Sequence, residues 1–337
     1  MFKYHVGVVI PFYQRESGIL AKALLSIAAQ EVKKTKFTIV VVDDGSPVPA
    51  DKELASVQLP DNCQIELIKQ KNAGPAVARN TALDYLQKNK IDTVAFLDSD
   101  DVWNKHHVSE ALSALSAGAG FYFCNHSRFN TALSWFESLN CFKEWNDMLI
   151  EYNIKFSSDK NLAELSGANC FKLFIREYLS QTSCIVYDFK SLPDKRFDPS
   201  LVSAGEDFFL WLHLVRSCEK VIFSLNKNVH CGAGVNIYFD SFDWNKLSSS
   251  TQQGYHFILY KMILSSFPLQ KSEYALIKQS ADQHLNLYSY LMLKHFITRV
   301  GFNRGLAVSI LKRFPGAMFL VPFRFIRASM NRKILQK

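Results

Sequence analysis

The sequence predicts an α/β fold: a mostly parallel central sheet flanked by helices, then a helical C-terminal extension. Three observations predict it. Short continuous apolar runs recur over the first hundred residues, as expected of strands covered on both faces rather than one. Helix-period stretches lie between them. Beyond residue 245 the strand signal fades and the chain reads as helices.

The elements follow in order. Residues 5–12 (His-Val-Gly-Val-Val-Ile-Pro-Phe) are a buried strand that Pro11 is expected to end. Leu20, Leu24, Ile27 and Ala28 set a helix over 17–31. Residues 37–42 are a second apolar run, closed by Asp43-Asp44-Gly45-Ser46, and 64–69 a weaker strand. Asn72-Ala73-Gly74-Pro75 opens a helix, with Pro75 suited to its first turn and Ala78, Ala82, Tyr85 and Leu86 as its apolar stripe. Residues 93–97 are another buried strand, ended by Asp98-Ser99-Asp100-Asp101. Further strands are expected at 121–124, 183–187 and 220–225, and helices near 105–117 and at 207–217. The expected division is an α/β domain over 1–240 and a basic helical region over 245–337.

Composition bounds the function. Apolar residues make up 48% and charged residues 21%, so a packed chain rather than a disordered one is expected. Seven cysteines with no CxxC pair argue against a zinc site of the usual spacing and against a disulfide framework, and favour a reducing compartment. No basic region followed by a long apolar run stands at Met1–Tyr13, so no signal peptide is expected. Apolar stretches such as Ala317–Phe323 fall short of the roughly 20 residues a membrane-spanning helix needs. The net charge of +8 is local: residues 283–337 hold ten Lys and Arg and no Asp or Glu, leaving 29 basic and 31 acidic residues for the rest. That tail mixes Arg324, Arg327, Arg332 and Lys333 with Phe323, Phe325, Ile326 and Met330, while Phe314-Pro315-Gly316 and Pro322 are expected to interrupt any long helix. It reads either as an interfacial segment on anionic lipid or as a helical subdomain with a solvated basic face; nucleic-acid binding is not expected.

Ligands of open parallel sheets sit outside the carboxyl ends of the strands. If the strands ending at Pro11, Asp43-Asp44 and Asp98–Asp101 are neighbours, several carboxylates crowd one edge. A divalent hard cation carrying a diphosphate would relieve that crowding. Taken singly, Asp43–Ser46 reads as a turn and Asp98–Asp101 as the cap of the following helix; two such signals at strand ends about 55 residues apart favour a site.

Together, Val9-Ile10-Pro11-Phe12-Tyr13, Val42-Asp43-Asp44-Gly45-Ser46, the run from Asn72 through Gly74 to Ala78-Arg79-Asn80, and Leu97-Asp98-Ser99-Asp100-Asp101 resemble the family 2 inverting glycosyltransferases of the GT-A fold, in order and spacing. The resemblance is strong over 5–105 and patchy to about 240. It implies that Asp43 or Asp44 accepts hydrogen bonds from the nucleobase and ribose of a donor held between Pro11, Phe12 and Ser99. It implies that Arg79 reaches the base or diphosphate, that Asp98 touches the ribose or the metal, and that Asp100 ligates Mn or Mg. Gly205-Glu206-Asp207 before Phe208-Phe209-Leu210-Trp211 resembles the family's acidic motif, which makes Asp207 the general base and Glu206 the second choice. Gln181-Thr182-Ser183 resembles a segment near the reacting sugars. His230, before Gly232-Ala233-Gly234-Val235-Asn236, is a further metal ligand or a diphosphate contact, and the glycines after it suit a lid.

The expected activity is transfer of a sugar from a nucleoside-diphosphate sugar, UDP by resemblance, to a hydroxyl of a glycan or lipid-linked glycan. The expected setting is cytoplasmic, at the inner face of the cell membrane. A non-catalytic nucleotide-sugar-binding or scaffold protein of the same fold is the alternative. A nucleotidyltransferase is disfavoured because Phe12-Tyr13-Gln14-Arg15-Glu16 replaces a Gly-rich basic loop, and a dinucleotide-dependent oxidoreductase because the glycine fingerprint is missing.

Overall fold

The apolar run Tyr4–Phe12 forms β1 and is buried on both faces. Val6, Val8, Ile10 and Phe12 point to one side, where Leu20, Leu24 and Ile27 of helix α1 (Ile19–Ala28) cover them. On the other side Gly7 lets Leu86 approach, and a Cβ at residue 7 would stand 2.7 Å from the Leu86 methyls. β2 (Thr35–Asp43), α2 (Ala50–Leu54), β3 (Cys63–Lys69), α3 (Pro75–Lys88) and β4 (Thr93–Phe96) follow. These four strands pair in parallel in the order β3-β2-β1-β4. Pro11 does not end β1 as expected. β4 pairs only as far as Val9, so the missing N–H of Pro11 lies where no ladder bond is needed on that side.

This computed structural model describes residues 2–129, 131–157, 161–202, 204–232 and 243–330. The chain divides into two compact units, Met1–Pro199 with Leu210–Val235 and Ser200–Phe209 with Asn236–Lys337.

The first unit continues with β5 (Val102–Trp103), α4 (His107–Ser116), β6 (Phe121–Arg128), short helices α5 (Trp135–Ser138), α6 (Asn140–Lys143) and α7 (Trp145–Glu151), β7 (Lys155–Phe156), β8 (Leu162–Ser166) and α8 (Gly167–Arg176). A 3-10 turn (Thr182–Cys184), β9 (Val186–Asp188), α9 (Glu206–Ser217) and β10 (Lys220–Cys231) complete it, α9 from Leu210 onward. The full order is β3-β2-β1-β4-β9-β6-β10-β8-β7, with β5 also on β10. Among the described residues only β5, β8 and β9 run against the other seven strands, so the sheet is mixed but mostly parallel, a GT-A-like arrangement. Phe96, Tyr187, Phe197, Trp211 and Phe121 pack ring on ring over the face opposite α1.

Several elements differ from the sequence reading. The strand expected at 183–187 splits into the 3-10 turn and β9. The last strand runs on past 225 to Cys231, through register shifts after Ser224. α4 starts at His107 with His106 at its cap position, so Asp98–Asp101 do not cap it.

The second unit is helical: α10 (Leu247–Ser266), α11 (Lys271–Ile297), α12 (Arg304–Arg313) and α13 (Pro315–Met330). α11 packs on α10 and α13, and Arg324 of α13 is tied to Asp282 (2.8 Å) and Asn286 (2.6 Å) of α11. The chain turns by 119° between α12 and α13, where Phe314-Pro315-Gly316 was expected to interrupt. Pro322, expected to do the same, lies inside α13. Among the described residues no single helix is long and apolar enough to cross a membrane. Ala233–Asn236, Arg332 and Lys333 lie outside the described residues.

Candidate functional site

The order β2-β1-β4 makes the three polar strand ends immediate neighbours. Gln14, just past β1, stitches them together. Its amide N–H donates to Ser46 Oγ at 2.7 Å, Ser46 Oγ donates back to its carbonyl at 2.9 Å, and its side-chain Nε2 donates to Ser99 Oγ at 3.0 Å. The backbone adds Asp44 N–H to Phe12 O (2.9 Å) and Leu97 N–H to Val9 O (3.0 Å).

The paired aspartates after β2 hold the loops around them. Asp43 accepts from the amides of Ser46 (2.8 Å) and Ala50 (2.9 Å). Asp44 accepts from Gln70 Nε2 (2.8 Å) and from the amides of Ala73 (2.9 Å) and Gly74 (2.8 Å). Both are buried. A carboxylate offers about four acceptor positions, so Asp43 keeps about two and Asp44 about one beyond these bonds. Phe12 turns inward: its side chain is fully buried in the core, and only its carbonyl serves the edge. Pro11 is half-buried beside it.

Arg79, one turn into α3, donates from Nη2 to Asp98 Oδ1 at 2.8 Å, with side-chain exposures of 7% and 28%. Its guanidinium also lies over the Phe197 ring at 5.3 Å. A charge held this way keeps its direction and loses little freedom on meeting a ligand. The Asp98 amide donates to Ser183 Oγ at 2.9 Å, which brings the Gln181–Ser183 segment into the site.

Asp101 is the residue that sequence reasoning missed. It is buried, and three donors converge on it: Gln181 Nε2 (2.8 Å), Ser183 Oγ (2.5 Å) and the Gly232 amide (2.9 Å). Burial, then Asp100 and Asp98, push its carboxyl up to about 7. Asp100 is pushed up to about 6, by burial first and Asp98 second. Three donors fit an ionised Asp101, so the site is a set of carboxylates under mutual repulsion that a neighbouring cation would relieve. Gly232 has to be glycine here, because a Cβ would stand 2.1 Å from the Asp100 carbonyl oxygen.

His230 lies opposite Val102 in the β10–β5 ladder, and its Nδ1 meets Ser127 Oγ at 2.5 Å. Among the described residues no three His, Cys, Asp or Glu side chains converge as a metal cage. Magnesium and manganese bound to a diphosphate commonly take only one or two carboxylates from the protein, with phosphate oxygens and water completing the shell. Asp98 and Asp100 fit that demand, since Asp98 Oδ2 and the Asp100 carboxylate take no hydrogen bond from another described residue. Glu206 and Asp207 belong to the second unit, half-buried at the first turn of α9, with Asp207 Oδ1 taking the Phe208 amide at 2.6 Å.

Comparison with known proteins is consistent over this region. The model for "Glycosyl transferase family 2" matches residues 7–182. The succinoglycan biosynthesis protein ExoW of Rhizobium meliloti is 33% identical over 232 residues, which is 68% of this chain and 70% of ExoW. Among solved structures, S. aureus TarS 1-349 in complex with UDP-GlcNAc superimposes with a TM-score of 0.58 at 16% identity, over 96% of this chain and 81% of that one. The mannosyltransferase PcManGT of Pyrobaculum calidifontis, in complex with GDP-Man and Mn2+, gives 0.53 at 14% identity, over 98% and 88%. The two structures share the fold; the family match spans residues 7–182, among them the strand ends that carry the clustered carboxylates. The chain belongs to glycosyl transferase family 2.

Proposed function

We propose that the chain transfers a sugar from a nucleoside-diphosphate sugar, UDP-linked, to a hydroxyl of a glycan or lipid-linked glycan, with inversion. The observation that carries this reading is the carboxylate cluster at the end of β4 with Arg79 fixed beside it. One edge holds both a demand for a divalent cation and a cation aimed at a diphosphate. The loops held by Asp43 and Asp44, together with Pro11, form the nucleoside side, where Asp44 retains an acceptor position for the base or ribose. Phe12 contributes by holding the Asp44 amide, and Ser99 through its bond from Gln14. Asp98 and Asp100 would hold Mn or Mg, with His230 at the diphosphate. The metal, when bound, supplies positive charge to the departing diphosphate. Arg79 shares that task from a dry, fixed position.

Asp207 accepts the proton of the attacking hydroxyl, with Glu206 as the other carboxylate at that helix turn. The oxygen attacks the anomeric carbon from the side opposite the leaving group, so one displacement inverts the configuration. Exposed Phe319 and Phe323, one turn apart on α13, suit contact with an anionic membrane surface that would carry a lipid-linked acceptor.

Thermal stabilisation across a panel of sugar nucleotides, with and without Mn or Mg, tests the donor. One nucleotide should raise the midpoint only with metal present, and Asp100→Ala should abolish that metal dependence. Asp207→Asn should cut transfer by about 10²- to 10⁴-fold and leave donor stabilisation unchanged. A panel without metal-dependent stabilisation would remove the donor reading, and an Asp207→Asn variant with most of its turnover would remove the base.

A further inference from the structure

Arg128 ends β6 and has an arrangement unlike its neighbours. Its guanidinium lies over the indole of Trp135 at 4.2 Å, and its Nε donates to His126 Nε2 at 3.4 Å. Both supports are themselves fixed. Trp135 Nε1 donates to the Tyr178 carbonyl at 3.1 Å, and the His126 ring stacks on Trp135 at 5.4 Å. His126 Nδ1 meets Cys184 Sγ at 3.6 Å. Burial, and then the charge of Arg128, hold His126 down at about 3, so it is neutral and can accept.

Arg128 is half-buried, and its guanidinium is held in place by both supports. Yet among the described residues no carboxylate pairs with it, whereas Arg79, Arg176 and Arg196 in the same unit each close on one. A rigid fork without an acid is suited to a planar or tetrahedral oxyanion brought by a ligand.

Its place along the sheet says which part of the ligand that is. The order β2-β1-β4-β9-β6 puts Arg128 two strands beyond β4, or about 10 Å. In register it faces Cys231, whose Sγ takes a hydrogen bond (2.8 Å) from the same Gln181 Nε2 that donates to Asp101. It thus borders the carboxylate cluster on the side away from the nucleoside loops.

We propose that Arg128 recognises a phosphate or carboxylate carried on the sugar side of the reaction, by the acceptor or by the transferred sugar. This rests on the donor placement given under the proposed function. The Trp135 and His126 supports make Arg128 a specificity determinant, since a neutral sugar would leave the charge facing it unanswered.

Calorimetric titration of the full-length protein tests it in two arms. With saturating UDP and magnesium, glucuronate or inorganic phosphate should bind about tenfold more tightly than glucose if the acceptor bears the anion. Without UDP, UDP-glucuronate should bind about tenfold more tightly than UDP-glucose if the transferred sugar does. Whichever preference appears should vanish in Arg128→Gln, with UDP affinity unchanged. Should that variant not fold, Arg128→Lys, which keeps the charge and loses the fork, should lower the preference at least threefold. No preference in either arm, or one that survives these substitutions, overturns the proposal. Absence of UDP binding to the wild-type chain would instead count against the donor reading, and it is measured first.

Discussion

His107 shows how a single buried side chain sets a pH response. Its ring is fully buried, tilts against Trp103 at 4.8 Å, and its Nδ1 meets Cys124 Sγ at 3.6 Å, while Nε2 has no hydrogen-bond partner among the described residues. Burial holds the ring down at about 3, against an ordinary value near 6.5. The folded pKa is thus the lower one. His107 costs no stability above pH 6.5; as pH falls from there toward 3, the unfolded chain takes up a proton that the folded one refuses, and stability is lost. The slope for one such group is about 1.4 kcal/mol per pH unit. His107→Phe should therefore flatten the denaturation free energy against pH by about that much between pH 6 and 4. The difference between the two proteins isolates His107, because Asp100 and Asp101, whose raised values act in the opposite sense, are common to both. Parallel pH profiles would show that the ring is protonated in place. None of this is legible in the sequence, where His107 follows His106 as an ordinary helix start. The same holds for Asp101. Its partners stand 80, 82 and 131 residues away, and only folding brings them together.

At the scale of elements, the strand ends were legible because local chemistry marks them. β1, β2 and β4 are continuous apolar runs closed by polar residues, and such runs have few other places to go. β5 and β7 have two residues each, and the helices α5, α6 and α7 have four, four and seven. Those lengths are too short for any periodicity to register, so their pairing depends on longer partners. Pro11 misled for a related reason: whether a proline ends a strand depends on what lies beside it, and at Pro11 β4 has already ended. The loop after β2 shows what a strand end can carry. Asp43 binds two amides, at Ser46 and Ala50, three and seven residues further on, and so fixes the path from β2 into α2. Asp43→Ala leaves both amides without their charged acceptor, at about 1.5–3 kcal/mol for each bond. A loss of at least 2 kcal/mol in chemical denaturation is expected, together with weaker donor binding. Asp43→Asn, which keeps one acceptor oxygen, should lose about half as much. Equal stability of all three proteins would mean that the loop is held by its backbone alone.

For the whole molecule, the division of charge matters more than its total. The first 282 residues are close to neutral, and the ten basic residues of 283–337 face no acid of their own segment. On α13, Phe319 (74% exposed) and Phe323 (72%) stand one turn apart, with Ile326 also exposed three residues on. Arg324 between them is taken up by Asp282, so it serves the packing of the helices rather than an outside partner. Exposed aromatics on a basic, acid-free segment give two attractions that act together on an anionic bilayer, one from apolar burial and one from charge. The charge part is screened by salt and the apolar part is not. The full-length chain should therefore co-sediment with vesicles containing phosphatidylglycerol and much less with neutral ones, and salt should reduce the binding without abolishing it. Phe319→Ser combined with Phe323→Ser should leave only the salt-sensitive part, about tenfold weaker at low salt and undetectable at high salt. Equal binding to neutral and anionic vesicles, or binding unchanged by the two substitutions, would assign this face to another partner and leave the donor site of the first unit as it stands.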